Sequence, residues 1–175
     1  MTAVEAYELT TRGGATDFAR LIAACEAFGP YCLIGGLAVN CYVEPVYTLD
    51  ADLVVIAPSL PGLTAHLLEQ GFKVEEHAHS VNALAPGSEL RIQFTTDERY
   101  QAFLARSAEA EVLGIRAKVA CLEDVARGKL WACSDPRRRL SKRKKDELDL
   151  IRLGEAYPGL RSLYPDELRQ QLDRG

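Results

Sequence analysis

Residues 31–57 read YCLIGGLAVNCYVEPVYTLDADLVVIA. Tyr31–Ile34 is an apolar run of strand length, closed by Gly35-Gly36. Leu37–Tyr42 reads as a short helix with its N-terminus at Gly36, and a loop follows. A second apolar strand, Leu53–Ile56, is entered through Asp50-Ala51-Asp52. Residues two apart on a strand share a face, so Asp50 and Asp52 stand side by side. Two adjacent carboxylates repel each other unless a cation sits between them. Hard oxygen donors of this kind suit Mg²⁺, which also takes oxygens from substrate phosphates. A glycine pair between strand and helix lets another backbone or ligand approach closely. It also presents helix N–H groups to an anion. Each signal alone has a plainer reading. A DxD can end a solvated loop, and Gly-Gly turns are common. The pattern is neither GxGxxG nor GxxxxGK[ST].

Outward from this stretch, residues 1–15 read as a loosely held arm. Thr16-Asp17 reads as a helix N-cap, with Phe18, Leu21, Ile22 and Cys25 at helical spacing up to Gly29-Pro30. After residue 57, a helix over 60–70 precedes strands over 72–78 and 81–84. Pro86-Gly87 marks a turn. In Leu90–Thr95 the apolar residues Leu90, Ile92 and Phe94 alternate with Arg91, Gln93 and Thr95. Residues 100–110 read as helix, 111–112 and 115–119 as short strands. Helices follow over 122–133, 142–156 and 165–173. The expectation is an α+β fold: a small mixed sheet with helices on one side, then a C-terminal helical layer. No linker divides the chain, so one domain over 1–175 is expected, with its core at 16–119 and C-terminal helices at 122–173.

The chain has 175 residues, enough for a core that buries roughly 70% of its unfolded surface. Its net charge of −4 argues against indiscriminate nucleic-acid binding. No apolar run reaches membrane-spanning length, and the N-terminus lacks a signal-peptide pattern. The five cysteines form no CxxC and read as reduced thiols of a cytoplasmic protein. His66, His77 and His79 find no partners at zinc-site spacing.

Gly35-Gly36 followed by Thr48-Leu49-Asp50-Ala51-Asp52-Leu53 resembles the nucleotidyltransferase superfamily with the polymerase-beta-type core. The C-terminal half extends the resemblance: a leucine-rich helix, residues 122–130, carries Lys129, and Lys145-Asp146-Glu147-Leu148-Asp149 gives a KDxxD pattern. The likeness is to small bacterial AbiEii/MenT-type members and covers about residues 30–155. It implies transfer of a nucleoside monophosphate from an NTP to an RNA or protein acceptor, in a toxin–antitoxin setting. It places Mg²⁺ on Asp50 and Asp52, phosphate on Gly35 and Gly36, and Lys129 on the triphosphate. Asp146 would orient Lys129 or help position the acceptor.

One position departs from the pattern. Such sites use a third carboxylate on a neighbouring strand, and the aligned residue here is Gln93, which cannot act as a base. Glu89 and Asp97 flank that strand. The alternative is therefore a nucleotidyltransferase fold that binds nucleotide or a partner without transfer. Seven of the chain's 21 basic residues cluster at Arg137, Arg138, Arg139, Lys142, Arg143, Lys144 and Lys145. They read either as a rim for a triphosphate or RNA acceptor, or as a solvated helix start.

Overall fold

The computed structural model describes residues 1–175. Seven strands form one mixed sheet in the order β3-β4-β5-β2-β1-β7-β6. β1 (Tyr31–Ile34) and β2 (Asp50–Val55) are central and antiparallel, with Ile34 opposite Asp52. All four residues of β1 are buried. Its apolar run is continuous because both faces are covered. β5 (Arg91–Thr95) lies parallel to β2, with Asp50 opposite Arg91 and Asp52 opposite Gln93. β3 (Lys73–Glu76) and β4 (Ser80–Leu84) extend the sheet beyond β5. β6 (Ala108–Val112) and β7 (Ile115–Val119) form the other edge.

Strand alternation divides the residues between two faces. Leu53, Ile92 and Phe94 point to one and are fully buried. The helices α2 (Gly14–Phe28) and α4 (Leu60–Glu69) belong to that core through Phe18, Leu21, Leu63 and Leu67. Asp52 and Gln93 point to the opposite face, where α3 (Gly35–Val39), α5 (Leu122–Ser134) and α6 (Leu140–Ala156) pack together. Helices thus cover both faces, with the expected C-terminal layer, α5 and α6, on the second. On the second face they stop short of β3–β5, which stays open beside Asp52.

The N-terminal segment is not a loose arm. Thr2 caps α1 (Ala3–Thr10) in a capping box: its hydroxyl accepts from Glu5 N–H at 3.1 Å, and its own N–H donates to Glu5 Oε2 at 2.6 Å. Thr16 does not cap α2. Glu8 of α1 takes its N–H at 3.0 Å, and the helix starts earlier, after Gly13. Residues expected as helix over 100–110 divide into a 3-10 segment, Glu98–Arg106, and strand β6. At the C-terminus α7 (Asp166–Arg174) docks on α6 where Gly154 has no side chain, against Leu172 and Tyr164. The Tyr164 hydroxyl donates to Leu150 C=O at 2.8 Å. No helix is long and apolar enough to cross a membrane.

Candidate nucleotide and metal site

The site begins with β2. Asp50 and Asp52 lie on one strand face, and α3 starts directly across from Asp52 because β1 ends at its partner Ile34. Gly35 takes φ +68°, a left-handed conformation, and a Cβ at Gly35 would overlap the carboxylate of Asp52. The first glycine therefore makes room for an aspartate. The second is less confined: a Cβ on Gly36 would sit 3.6 Å from Thr48. The first N–H groups of a helix have no intrahelical partners, and Gly36, in the first turn of α3, lines the groove.

The two aspartates have different surroundings. Asp50 accepts from Arg91 Nε at 2.6 Å and from Lys142 Nζ at 3.3 Å, one cation on each oxygen. Asp52 forms no ion pair of its own. Burial pushes its pKa up to about 6; Asp50 and Asp146 add to the rise, and Lys129 and Arg138 oppose it. Gln93 lies beside Asp52 in register on β5, where the sequence alignment put it.

Above the strand, α5 and α6 hold a buried ion network. Lys129 Nζ lies 3.0 Å from Asp146 Oδ1 and 2.7 Å from Asp149 Oδ2. Burial works against the Lys129 charge, but the two carboxylates outweigh it and hold its pKa above the usual lysine value. Arg138 donates to Asp146 Oδ2 at 2.9 Å, and Arg152 to Asp149 Oδ1 at 2.9 Å. Arg152 also clasps the Glu44 carbonyl in the loop before β2.

The residues expected from sequence thus come together around one groove: Gly36, Asp50, Asp52, Lys129 and Asp146 line one side of it, and Gly35, Asp52 and Gln93 an adjoining side. The basic segment divides. Arg138 and Lys142 point into the site, Arg137 pairs with Asp135, and Lys144 pairs with Glu147. Asp149 and Arg152 were missed as site residues. Their signal was available: charges at 142, 145, 149 and 152 recur every three or four residues, one face of a helix.

Five cations (Lys129, Arg138, Lys142, Lys145, Arg152) and four carboxylates line the main groove. Two of those carboxylates are held by Lys129, and two face outward from β2. Such a surface accommodates a polyanion together with a divalent cation. Asp50 already draws two cationic side chains, and Asp52 is an under-compensated carboxyl beside it. Both are hard oxygen donors of the kind Mg²⁺ takes, and they are the residues that would hold such an ion.

No protein-family model and no curated protein matches the chain. Solved structures do. The antibiotic-resistance factor ANT(2'')-Ia, crystallised with adenylyl-2''-tobramycin, superimposes with a TM-score of 0.62 at 19% identity, over 91% of this chain and 97% of that one. The solution structure of the same antibiotic-resistance factor gives 0.59 at 17% identity, over 92% and 97%. An antigenic nucleotidyltransferase-like protein from Paracoccidioides brasiliensis gives 0.54 at 19% identity, over 91% and 92%. At such identities the likeness concerns architecture, and the chain has the nucleotidyltransferase fold.

Proposed function

We propose that the chain transfers a nucleoside monophosphate from an NTP to an acceptor and releases pyrophosphate. The observation that carries this reading is the placement of Lys129, fixed by Asp146 and Asp149, over the paired Asp50 and Asp52. Asp50 and Asp52 would hold Mg²⁺, which supplies charge neutralisation to the triphosphate when bound. Lys129, Lys142, Lys145 and Arg152 offer the triphosphate a cationic wall. The Gly36 N–H offers a backbone donor. Asp146 and Asp149 keep Lys129 in one rotamer and protonated, so its charge is pre-positioned.

The AbiEii/MenT kinship rests on the sequence motifs: Gly35-Gly36, Asp50-x-Asp52, Lys129 and Asp146-x-x-Asp149. An RNA or protein acceptor, and a toxin–antitoxin setting, belong to that kinship. The basic segment lends an RNA acceptor less support than its composition suggests, because Arg137, Arg138, Lys142 and Lys144 are engaged by carboxylates of the chain itself.

A second reading is binding without transfer, favoured by the amide of Gln93 beside Asp52. One experiment separates the two. The purified chain is incubated with each α-labelled NTP, Mg²⁺, and RNA, protein or small-molecule acceptors. Label moving to an acceptor, and lost in Asp52→Ala, supports transfer. Nucleotide retained with no label moved supports binding alone.

A further inference from the structure

A groove of about 470 Å³ runs from Asp50 and Asp52 across the open face of β5, β4 and β3. Two rows of side chains cross it. One is Asp52, Gln93, Asn82 and Glu75; the other is Asp50, Arg91, Leu84 and Lys73. Its volume suits a small molecule. Taken with the transfer reading above, on which it rests, it is an open approach to a phosphate held at Asp52 along a cavity that Lys129 does not line.

Asp50 and Asp52 line the groove but are the residues the transfer reading gives to Mg²⁺, and no other carboxylate close to them is free to take a proton. Glu89 pairs with Arg12 at 3.6 Å, and Asp97 is held by Arg99 at 2.7 Å. Asp146 is shared by Lys129 and Arg138. Glu75 stands three strands from Asp52, about 14 Å away at ordinary strand spacing. Gln93 occupies the remaining adjacent place and has no proton-accepting chemistry near neutral pH. Positive charge is well supplied: Arg91 lines the groove and binds Asp50 through its Nε, Lys142 stands at the inner end, and Lys73 at the outer end.

We infer that the acceptor is a small molecule whose nucleophile is an oxyanion already ionised at neutral pH, a phosphate monoester or a carboxylate, drawn in past Lys73 and held by Arg91. The step then balances without a base. A lone pair of the acceptor oxyanion forms the new bond to the α-phosphorus. The bond from that phosphorus to the β-bridging oxygen breaks, and pyrophosphate leaves with its electron pair. No proton is transferred. A hydroxyl acceptor, in contrast, must lose a proton, and the carboxylates nearest to it, Asp50 and Asp52, are those the transfer reading gives to Mg²⁺.

The test uses the full chain with Mg²⁺, α-labelled NTPs and four acceptor arms: phenyl phosphate and glucose 1-phosphate, benzoate, tobramycin, and an RNA 3′ end. Nucleotide binding is measured on the same samples by equilibrium dialysis. Expected is label in a diphosphate or acyl-phosphate product at least tenfold faster than in any hydroxyl-linked product. Transfer to the first arm assigns a phosphate acceptor, and transfer to benzoate alone a carboxylate. Lys73→Ala is expected to raise the acceptor KM about tenfold while nucleotide Kd stays within twofold. Gln93→Glu is expected to slow oxyanion transfer at least tenfold by charge repulsion. Bound nucleotide with transfer to hydroxyl acceptors only, or to no acceptor, overturns the inference. Absence of nucleotide binding overturns the transfer reading beneath it.

Discussion

Gly35 and Asp52 share one small volume: the carboxylate of Asp52 sits where a side chain at residue 35 would begin. The turn between β1 and α3 and the carboxylate on β2 are therefore one steric unit. Gly35→Ala must move Asp52 and also bear a left-handed backbone, which alone costs about 1–2 kcal/mol. Urea unfolding is expected to show at least that loss, and labelled-nucleotide transfer to fall by about 100-fold or more. Gly36→Ala meets ordinary contacts and lies in a helix, so its stability is expected within about 1 kcal/mol of the parent. Equal damage from both substitutions would refute this division.

Asp52 gives a pH signature. Its carboxyl is raised from 3.8 to about 6 in the folded chain, so folding favours its protonated form. Its contribution to stability is full below pH 3.8 and is lost as the pH rises through 6. Asp52→Asn removes that loss. The variant is expected to be more stable than the parent at pH 7.5, with a difference that shrinks toward pH 4.5. Urea midpoints at the two pH values, without divalent metal, check it.

Lys129 is a buried cation between two carboxylates. Lys129→Met removes the charge but leaves Asp146 and Asp149 uncompensated, and breaking a buried pair this way costs about 3–5 kcal/mol. A thermal unfolding midpoint within one degree of the parent would contradict the network.

Lys142 stands over Asp50 Oδ2 at 3.3 Å, competing with any ion for that oxygen. Lys142→Ala is expected to tighten Mn²⁺ or Mg²⁺ binding to the nucleotide-free chain by about fivefold, the effect of roughly 1 kcal/mol between unit charges about 4 Å apart with water around them. Calorimetric titration measures it. The same variant is expected to bind NTP more weakly, because that cation also lines the groove.

The central stretch was readable because its signals are local. An apolar run, a glycine pair and residues two apart on a strand each report on their own neighbourhood. Gln93 could be placed beside Asp52 because the 90–95 alternation fixes which residues face outward. Thr2 and Glu5 carried a capping-box signature that was present in the sequence and overlooked. The division of the basic segment lay beyond a linear reading. Arg138 and Lys142 turn inward because Asp146 and Asp50 face them across a helix junction and a sheet, eight and 92 residues away in the chain. Charge density in a sequence does not say which charges have partners. The stop of the second helical layer short of β3–β5 was equally hidden, since it depends on how α3, α5 and α6 pack against one another.

The clasp from Arg152 to the Glu44 carbonyl has a consequence for the birth of the molecule. The carboxylates on β2 emerge early in synthesis, yet Lys129, Asp146, Asp149 and Arg152 arrive only in the last third of the chain. Pairing of β2 with β5 is itself long-range, and such contacts form slowly. A ribosome-bound chain that ends before residue 129 holds its acidic pair without the cationic wall, and has no assembled groove for a triphosphate. On the transfer reading, competence for nucleotide thus waits until α6 has been made and Arg152 closes over the loop that leads into Asp50.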